Sequence, residues 1–268
     1  MKYFCTSDIH SFAGPLQIAL SNAGFDKANP EHILIVCGDI FDRGPDTMGV
    51  YEFLISLPED RLVLVAGNHE LLYQDLLTKN FPDSYDYSNG TVRTFCHIAN
   101  VPEEQMSGRY WFSIMPQEEL KAGSTAWIEK HLKATWKKVL SKVKKSEVTS
   151  FINSTRWVNY FETETHVFVH SFVPINYKSF SKNENWRDAD EEAWYHAKWG
   201  NPYQQYANGL FPGDKTLVVG HWHTEDFFRY LGPYRKDARM CPVYDHNGLV
   251  ALDACAAATE RLNVYVIN

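Results

Sequence analysis

The stretch ILIVCGDIFDRG, residues 33–44, joins an uninterrupted apolar run to a cluster of glycine, acidic and basic residues. The apolar run Ile33–Cys37 is typical of a strand that is buried on both faces of a parallel sheet. The polar cluster follows directly at the carboxyl end of that strand, which is the edge where ligands bind in parallel α/β sheets. This stretch therefore predicts an α/β fold with functional residues after its strands.

The chain on either side of this stretch alternates between apolar runs and amphipathic segments. Lys2–Thr6 and Leu62–Val65 are predicted strands, while Pro15–Ala23, a segment opening at Pro45, and Glu70–Thr78 are predicted helices. A regular alternation of strand and helix predicts a sheet with a parallel core.

The second half of the chain returns to strands. Thr165–His170 and Lys215–Gly220 are apolar runs of strand length, and Leu249–Asp253 and Leu262–Ile267 are predicted as late antiparallel strands. Ser124–Lys145 has apolar residues three and four positions apart, which predicts a helix. Its many lysines form either a solvated face or a docking surface for an anionic partner.

Length and composition limit the class of protein. The 268 residues are 44% hydrophobic and 22% charged, which excludes a disordered chain and allows a large core. A formal charge of −7 argues against a general nucleic-acid binder. Because no internal repeat or linker is apparent, we expect a single domain over residues 1–268 with insertions near 108–145 and 179–213.

The amino terminus and the cysteines indicate a compartment. Met1–Thr6 has no basic region followed by a long apolar stretch, so no secretory signal is predicted, and no apolar window is long enough to cross a bilayer. The five cysteines are odd in number and widely spaced, which favours reduced thiols. We therefore expect a cytoplasmic protein with no membrane attachment.

Five polar clusters each follow a predicted strand, and their Asp, His and Asn side chains are suitable metal ligands. The Asp-x-His and His-x-His spacings place both side chains on one side of an extended segment. Seven candidate ligands are too many for one tetrahedral zinc ion, but they suit two ions that share a carboxylate, an arrangement used for phosphoryl hydrolysis. The clusters are Asp8-Ile9-His10, residues 38–44, Gly67-Asn68-His69-Glu70, His170 and Gly220-His221-Trp222-His223.

Taken together, the clusters resemble the calcineurin-like metallophosphoesterase superfamily, whose pattern combines D-x-H, G-D, G-N-H-[DE], H and G-H-x-H. Residues 38–44 and 67–70 are similar to the serine/threonine phosphoprotein phosphatases, and Asn89-Gly90-Thr91 with Thr94 resembles their bacterial and phage branch. The sequence departs from the eukaryotic members by its second histidine, His223, and by Asp253-Ala254-Cys255. The resemblance implies an α/β fold of four layers, α/β/β/α, with two mixed sheets flanked by helices.

The resemblance also implies roles for individual residues. According to this resemblance, His69 is the proton donor and Asp42 orients His69. Arg43 binds the phosphate, and Asn68 also contacts the substrate. The cofactor it implies is a pair of divalent ions, with manganese favoured and iron or zinc as alternatives, because oxygen and nitrogen ligands suit all three. The first ion is assigned to Asp8, His10, Asp39 and His223, and the second to Asp39, Asn68, His170 and His221.

The insertion at 179–213 contains three further candidates for substrate binding and three tryptophans. We expect the tryptophans to form the core of a lid over the metals, and a base-stacking platform is the alternative. The candidates for a second phosphate-binding side chain are Lys198, Arg187 and His196. The tryptophans are Trp186, Trp194 and Trp199.

The expected activity is metal-dependent hydrolysis of a phosphate ester by attack of a metal-bridging hydroxide. A phosphomonoesterase of the serine/threonine protein phosphatase type leads, acting on a phosphoprotein or a small phosphate ester. A dinucleoside polyphosphate hydrolase of the diadenosine tetraphosphate type and a phosphodiesterase are the alternatives. A catalytically inactive scaffold is the alternative outside the enzymes, although every expected ligand is present.

Overall fold

The structure is a computed structural model that describes residues 1–268 and contains two five-stranded sheets. The strands are β1 (Lys2–Thr6), β2 (His32–Cys37), β3 (Leu62–Val65), β4 (Trp157–Val158), β5 (Phe161–Glu162), β6 (His166–Phe168), β7 (Thr216–Val219), β8 (Tyr244–His246), β9 (Leu249–Ala251) and β10 (Tyr265–Ile267). The first sheet has the order β10-β1-β2-β3-β4, and the second has the order β5-β6-β7-β9-β8.

Thirteen α-helices accompany the sheets. They are α1 (Ala13–Asn22), α2 (Thr47–Ile55), α3 (Asn68–Leu76), α4 (Ser84–Ser88), α5 (Thr91–Ala99), α6 (Gly108–Ser113), α7 (Gln117–Lys121), α8 (Thr125–Val143), α9 (Glu147–Ile152), α10 (Glu191–Lys198), α11 (Pro202–Ala207), α12 (Thr224–Leu231) and α13 (Ala256–Thr259). None of these helices combines the length and the apolar character needed to cross a membrane.

The four-layer α/β/β/α fold is confirmed by the way that alternate strand residues pack on opposite faces. Leu34 and Val36 of β2 lie in a core that the first sheet shares with helices α1, α2, α3, α5 and α8. Ile35 of the same strand packs with Val218 of β7 in a smaller core between the two sheets. Val219 of β7 belongs to a third core beneath helices α10, α11 and α12. Both sheets are therefore buried on both faces, as their continuous apolar sequences require.

Both sheets have a parallel centre, with one antiparallel edge strand in the first sheet and two in the second. In the first, β1, β2, β3 and β4 are parallel and β10 pairs antiparallel with β1. In the second, β6, β7 and β9 are parallel, while β5 and β8 are antiparallel. The two late strands each have an antiparallel neighbour but belong to different sheets. The carboxyl ends of β1, β2, β3, β6 and β7 carry the polar clusters.

Helices α2 and α3 begin at residues other than those predicted from the sequence. Helix α2 begins at Thr47 and not at Pro45, because the Asp46 side chain caps it by accepting a hydrogen bond from the Gly49 amide at 2.8 Å. Helix α3 begins at Asn68, two residues before the predicted Glu70. Consequently Asn68 and His69 lie in the first helical turn, where their orientation is set by the helix.

The tryptophans of the second insertion do not form one lid. Trp186 and Trp194 are buried in the core of the second sheet, where Tyr160 packs against both rings. Trp199 alone approaches a candidate metal ligand, with its ring 6.4 Å from that of His221. The expectation that the tryptophans cover the metals is therefore wrong for Trp186 and Trp194. Burying these large apolar rings in the core of the second sheet is more favourable than exposing them to solvent above the metal site.

Candidate metal centre

The loops that follow the strands hold several candidate ligands in unusual backbone conformations. Positive φ angles occur at Asp8 (51°), His10 (47°), Asp39 (56°) and His221 (67°), and none of these residues is a glycine. Left-handed backbone is unfavourable for side-chain-bearing residues, so it persists only where the surrounding structure imposes it. Here the loops direct these side chains into one site.

Asp39 lies at the centre of the site. It is buried, and its carboxylate oxygens lie 3.8 Å from His10 Nε2, 3.8 Å from His69 Nε2 and 3.4 Å from His170 Nε2. Burial, followed by repulsion from Asp8, raises the pKa of Asp39 well above its usual value. Asp39 belongs to two groups of potential ligands, one with His10 and His69 and the other with His170 and His221.

The histidine rings are held by backbone carbonyls on their far sides. Nδ1 of His10 donates to the carbonyl of Phe41 at 2.9 Å, and Nδ1 of His170 donates to the carbonyl of Cys37 at 2.9 Å. Burial lowers the pKa of both rings well below the usual value, with neighbouring histidines adding to the effect. Each neutral ring therefore directs the Nε2 lone pair into the site, as metal-binding histidines do.

The chemistry of this donor set fits divalent cations. With Nδ1 of His170 occupied, its Nε2 lone pair faces the Asn68 carbonyl oxygen at 2.7 Å and His221 Nδ1 at 3.2 Å. On the other side of Asp39, the Arg43 guanidinium donates to His10 Nε2 at 2.9 Å and approaches His69 Nε2 at 3.1 Å. Nitrogen and oxygen atoms that converge in this way are suitable ligands for a divalent cation, and on one side of Asp39 the Arg43 guanidinium contacts them.

His69 and Asp42 form a second arrangement beside Asp39. His69 Nδ1 donates to Asp42 Oδ2 at 2.7 Å, and the His69 amide donates to Asp39 Oδ1 at 2.9 Å. The hydroxyls of Thr91 and Thr94 donate to the Asp42 carboxylate at 2.8 and 2.7 Å. The Asn-Gly-Thr segment and Thr94 were noted in the sequence only because they resemble a branch of the phosphatases. The structure gives them a role, since their threonines hold the carboxylate that orients His69.

Glu70 ties two of the loops together. Its carboxylate accepts hydrogen bonds from the amides of Gly67 at 2.7 Å, Asp39 at 3.1 Å and Ile40 at 3.0 Å. Burial raises the pKa of Glu70, and these three amides oppose that effect by stabilising the carboxylate. Glu70 is thus a positioning residue that sets the distance between the second and third strand ends.

Asp253 is a buried acidic residue that the sequence did not single out for the site. Its carboxylate accepts from the Cys255 amide at 2.7 Å, and burial raises its pKa. His223 Nε2 lies 4.0 Å from Asp253 Oδ2, and the His223 side chain is 45% exposed. His223 and Asp8 are the expected histidine and aspartate ligands that lie outside both ligand groups. Asp253 lies two residues after the end of β9, at the same sheet edge as the other clusters. This position was the feature of the sequence from which its place near the site could have been predicted.

The three additional candidates for phosphate binding make contacts outside the two ligand groups. Arg187 forms a bidentate ion pair with Glu162 of the edge strand β5, with N–O distances of 3.0 and 2.7 Å. Lys198 is buried and donates to Asn159 at 2.6 Å. His196 is exposed and packs against Tyr177 and Tyr195. Arg43 is the cation that contacts the ligand groups, because its loop directly follows β2.

Gly38 provides a test of the loop geometry. Its φ is +80°, and a Cβ there would lie 2.5 Å from His170 Nδ1 and 2.7 Å from the Gly67 Cα. We expect Gly38→Ala to destabilise the protein by at least about 1–2 kcal/mol from left-handed strain alone and to weaken metal binding by displacing His170. Urea unfolding and metal titration measure the two effects.

Gly14→Ala is the matched control, since no atom lies within 4 Å of its Cβ position in α1. Alanine in a helix is favoured over glycine by roughly 0.5–1 kcal/mol, so this variant should be as stable as the wild type or more so. Equal unfolding curves for the two variants would contradict the close packing of Gly38 against His170.

Comparisons with known proteins bear on this site. A family model described as calcineurin-like phosphoesterase matches residues 1–252. A curated relative, the symmetrical bis(5′-nucleosyl)-tetraphosphatase of Cellvibrio japonicus strain Ueda107, is 37% identical over 103 residues, covering 38% of this chain and 36% of the relative. A protein of the same name from Aeromonas hydrophila subsp. hydrophila is 41% identical over 64 residues, covering 24% and 22%. The matched part spans well under half of either relative.

A solved structure extends the similarity over the whole fold. A crystal structure described as that of a candidate diadenosine tetraphosphatase aligns with 99% of this chain and 89% of its own chain. Its TM-score is 0.51 and its sequence identity is 15%. At that identity the likeness concerns the fold alone.

Proposed function

The chain belongs to the calcineurin-like phosphoesterase family, and from that premise we propose that this hydrolase cleaves dinucleoside tetraphosphates. The observation that carries the hydrolase chemistry is the Asp39 carboxylate, which two groups of potential histidine ligands share. The names of the curated relatives support the dinucleotide as substrate. They favour this activity over that of a serine/threonine protein phosphatase, which was the first expectation from the sequence.

We assign two divalent ions to this site, with manganese preferred. Asp39 would bind both, Asp8 and His10 the first, and Asn68, His170 and His221 the second. His223 is the remaining candidate for the first set, and its half-exposed ring lies 4.0 Å from Asp253 Oδ2. When bound, such ions supply positive charge that draws electron density from phosphorus and lowers the pKa of the attacking water.

The chain's own residues bind the substrate and transfer a proton. Arg43 offers a forked pair of donors that matches two phosphoryl oxygens, once its present contact with His10 is released. His69, held by Asp42, donates its proton to the departing phosphate oxygen. Asn68 offers its amide to the same phosphate. We further propose that residues 1–268 act as a single catalytic domain, since the core between the sheets unites both halves of the chain.

A panel of substrates tests the proposed function. We compare diadenosine tetraphosphate, a phosphoserine peptide, a phosphotyrosine peptide and an aryl phosphate diester, each with manganese, iron and zinc. We expect kcat/KM for the dinucleotide to exceed that for either peptide by about a hundredfold, the order of discrimination that specific contacts can provide. Chromatography of the nucleotide products shows whether cleavage is symmetrical.

Asp39→Asn protein, purified in parallel, controls for contaminating phosphatases. Faster turnover of the phosphoserine peptide would reject the dinucleotide proposal in favour of the protein phosphatase. Absence of turnover with every substrate and metal would reject both and leave the inactive scaffold.

A further inference from the structure

A cavity of about 550 Å³ lies beside the candidate metal centre, and the proposed function gives it no role. Its volume falls within the range of small-molecule sites. Aromatic rings dominate its lining, and a single carboxylate is the only acidic group among them. The lining residues are Leu71, Leu72, Asp75, Tyr85, Tyr195, His196 and Trp199. We call it the aromatic cavity.

The aromatic cavity adjoins the metal centre along two elements. Leu71, Leu72 and Asp75 belong to α3, whose first turn carries Asn68 and His69. Since an α-helix rises about 1.5 Å per residue, Asp75 lies roughly 9 Å along the helix from His69. On the other wall, the Trp199 ring stands perpendicular to the His221 ring at a centroid distance of 6.4 Å. A ligand that occupied both sites would extend along the first two turns of α3.

The rings that line the aromatic cavity are available to a ligand. Tyr85 and Tyr195 are 50% and 48% exposed, and no ring packs against Tyr85. The indole N–H of Trp199 makes no hydrogen bond, so a small rotation of this ring would break none. Trp186 and Trp194 differ, because the core encloses them. The second insertion thus divides into a structural part and an exposed aromatic part.

We propose that the aromatic cavity binds a nucleobase of the substrate while the phosphates lie at the metal centre. This inference rests on the proposed function, because it takes the substrate to be a nucleotide. Aromatic rings stack on the faces of bases with little regard to sequence. Asp75 pairs with Lys79 through Oδ2 at 3.0 Å, and a carboxylate has further acceptor sites for an exocyclic amino group.

A matched pair of ligands isolates the contribution of the base. α,β-Methylene-ADP and methylenediphosphonate present the same non-hydrolysable phosphonate chemistry, and only the first carries adenosine. Titration calorimetry in the presence of Mn²⁺ should show at least about tenfold tighter binding of the nucleotide, as expected for base stacking. We expect Tyr195→Ala and Tyr85→Ala each to remove most of that preference, without altering the affinity for methylenediphosphonate.

Tyr234→Ala is the matched control, because Tyr234 is 87% exposed and lies on a different surface, beyond α12. It should retain the full preference for the nucleotide. Equal affinity of the wild type for the two ligands, or an undiminished preference in both cavity variants, would overturn the inference. Hydrolysis of diadenosine tetraphosphate is measured separately. Its absence alongside a Tyr195-dependent preference would reject the proposed function and retain the nucleobase site.

Discussion

We expect the Asp39→Asn variant to bind neither metal ion and its kcat/KM to fall by more than about a hundredfold. Replacing a residue that only hydrogen-bonds to a metal ligand usually costs about 10–100-fold. Asp39 is the residue common to both ligand groups, so its charge acts at both positions. Asparagine preserves the shape of the side chain and can still accept the hydrogen bond from the His69 amide. Elemental analysis after gel filtration measures the ions, and steady-state kinetics measures the activity.

Asp253→Asn is the matched control for this substitution. Asp253 is also a buried carboxylate near the site, and its hydrogen bond from the Cys255 amide can be made by asparagine. Because Asp253 belongs to neither ligand group and is not among the residues that we assign to either ion, we expect this variant to retain both ions. Full metal occupancy in Asp39→Asn, or equal loss in the two variants, would contradict a shared ligand at Asp39.

His69→Asn is expected to lower kcat by about 10²–10⁴-fold for substrates with poor leaving groups, which is the usual contribution of general acid catalysis. His69 is suited to this role because Asp42 binds its Nδ1 at 2.7 Å and leaves Nε2 directed into the site. Leaving groups that are stable as anions need no proton, so an aryl phosphate such as p-nitrophenyl phosphate should lose far less activity. A series of aryl and alkyl phosphates of graded leaving-group pKa measures the difference.

His97→Asn serves as the control for His69→Asn. His97 hydrogen-bonds to Thr47 at the start of α2 and belongs to neither ligand group. We expect its replacement to leave kcat unchanged for every leaving group. If the loss in His69→Asn were the same across the series, His69 would act on the metal ligands or on substrate position and not as the proton donor.

The central strands and their polar ends were predictable because the information is local. A run such as Ile33–Cys37 must be buried on both faces, and the observed β2 differs by one residue at its start. Once the strands are parallel, their carboxyl ends share an edge, so the approach of Asp39 to His10 and His170 follows. Hydrophobic periodicity and the order of the elements along the chain were sufficient to predict the parallel strands and the polar side chains at their carboxyl ends.

Side-chain partners that are distant in sequence were not predictable in the same way. Arg187 and Lys198 had the charge expected of phosphate ligands, but Glu162 and Asn159 bind them in the folded chain. The Trp-rich segment was misassigned at Trp186 and Trp194, because an apolar pattern does not distinguish a ring that fills a core from one that lines a cavity. That distinction depends on the surface that packs against each ring.

The sequence by itself determined the α/β class and the residues that could bind metal, since buried strands and the glycine-bounded clusters after them are local properties. Only the tertiary structure decided which acceptors face one another, that Thr91 and Thr94 hold Asp42, and that Asp253 joins the site while His223 stays half exposed. The physical reason is distance. Hydrogen bonds act over about 3 Å, and residues far apart in the chain come that close only after both sheets have packed.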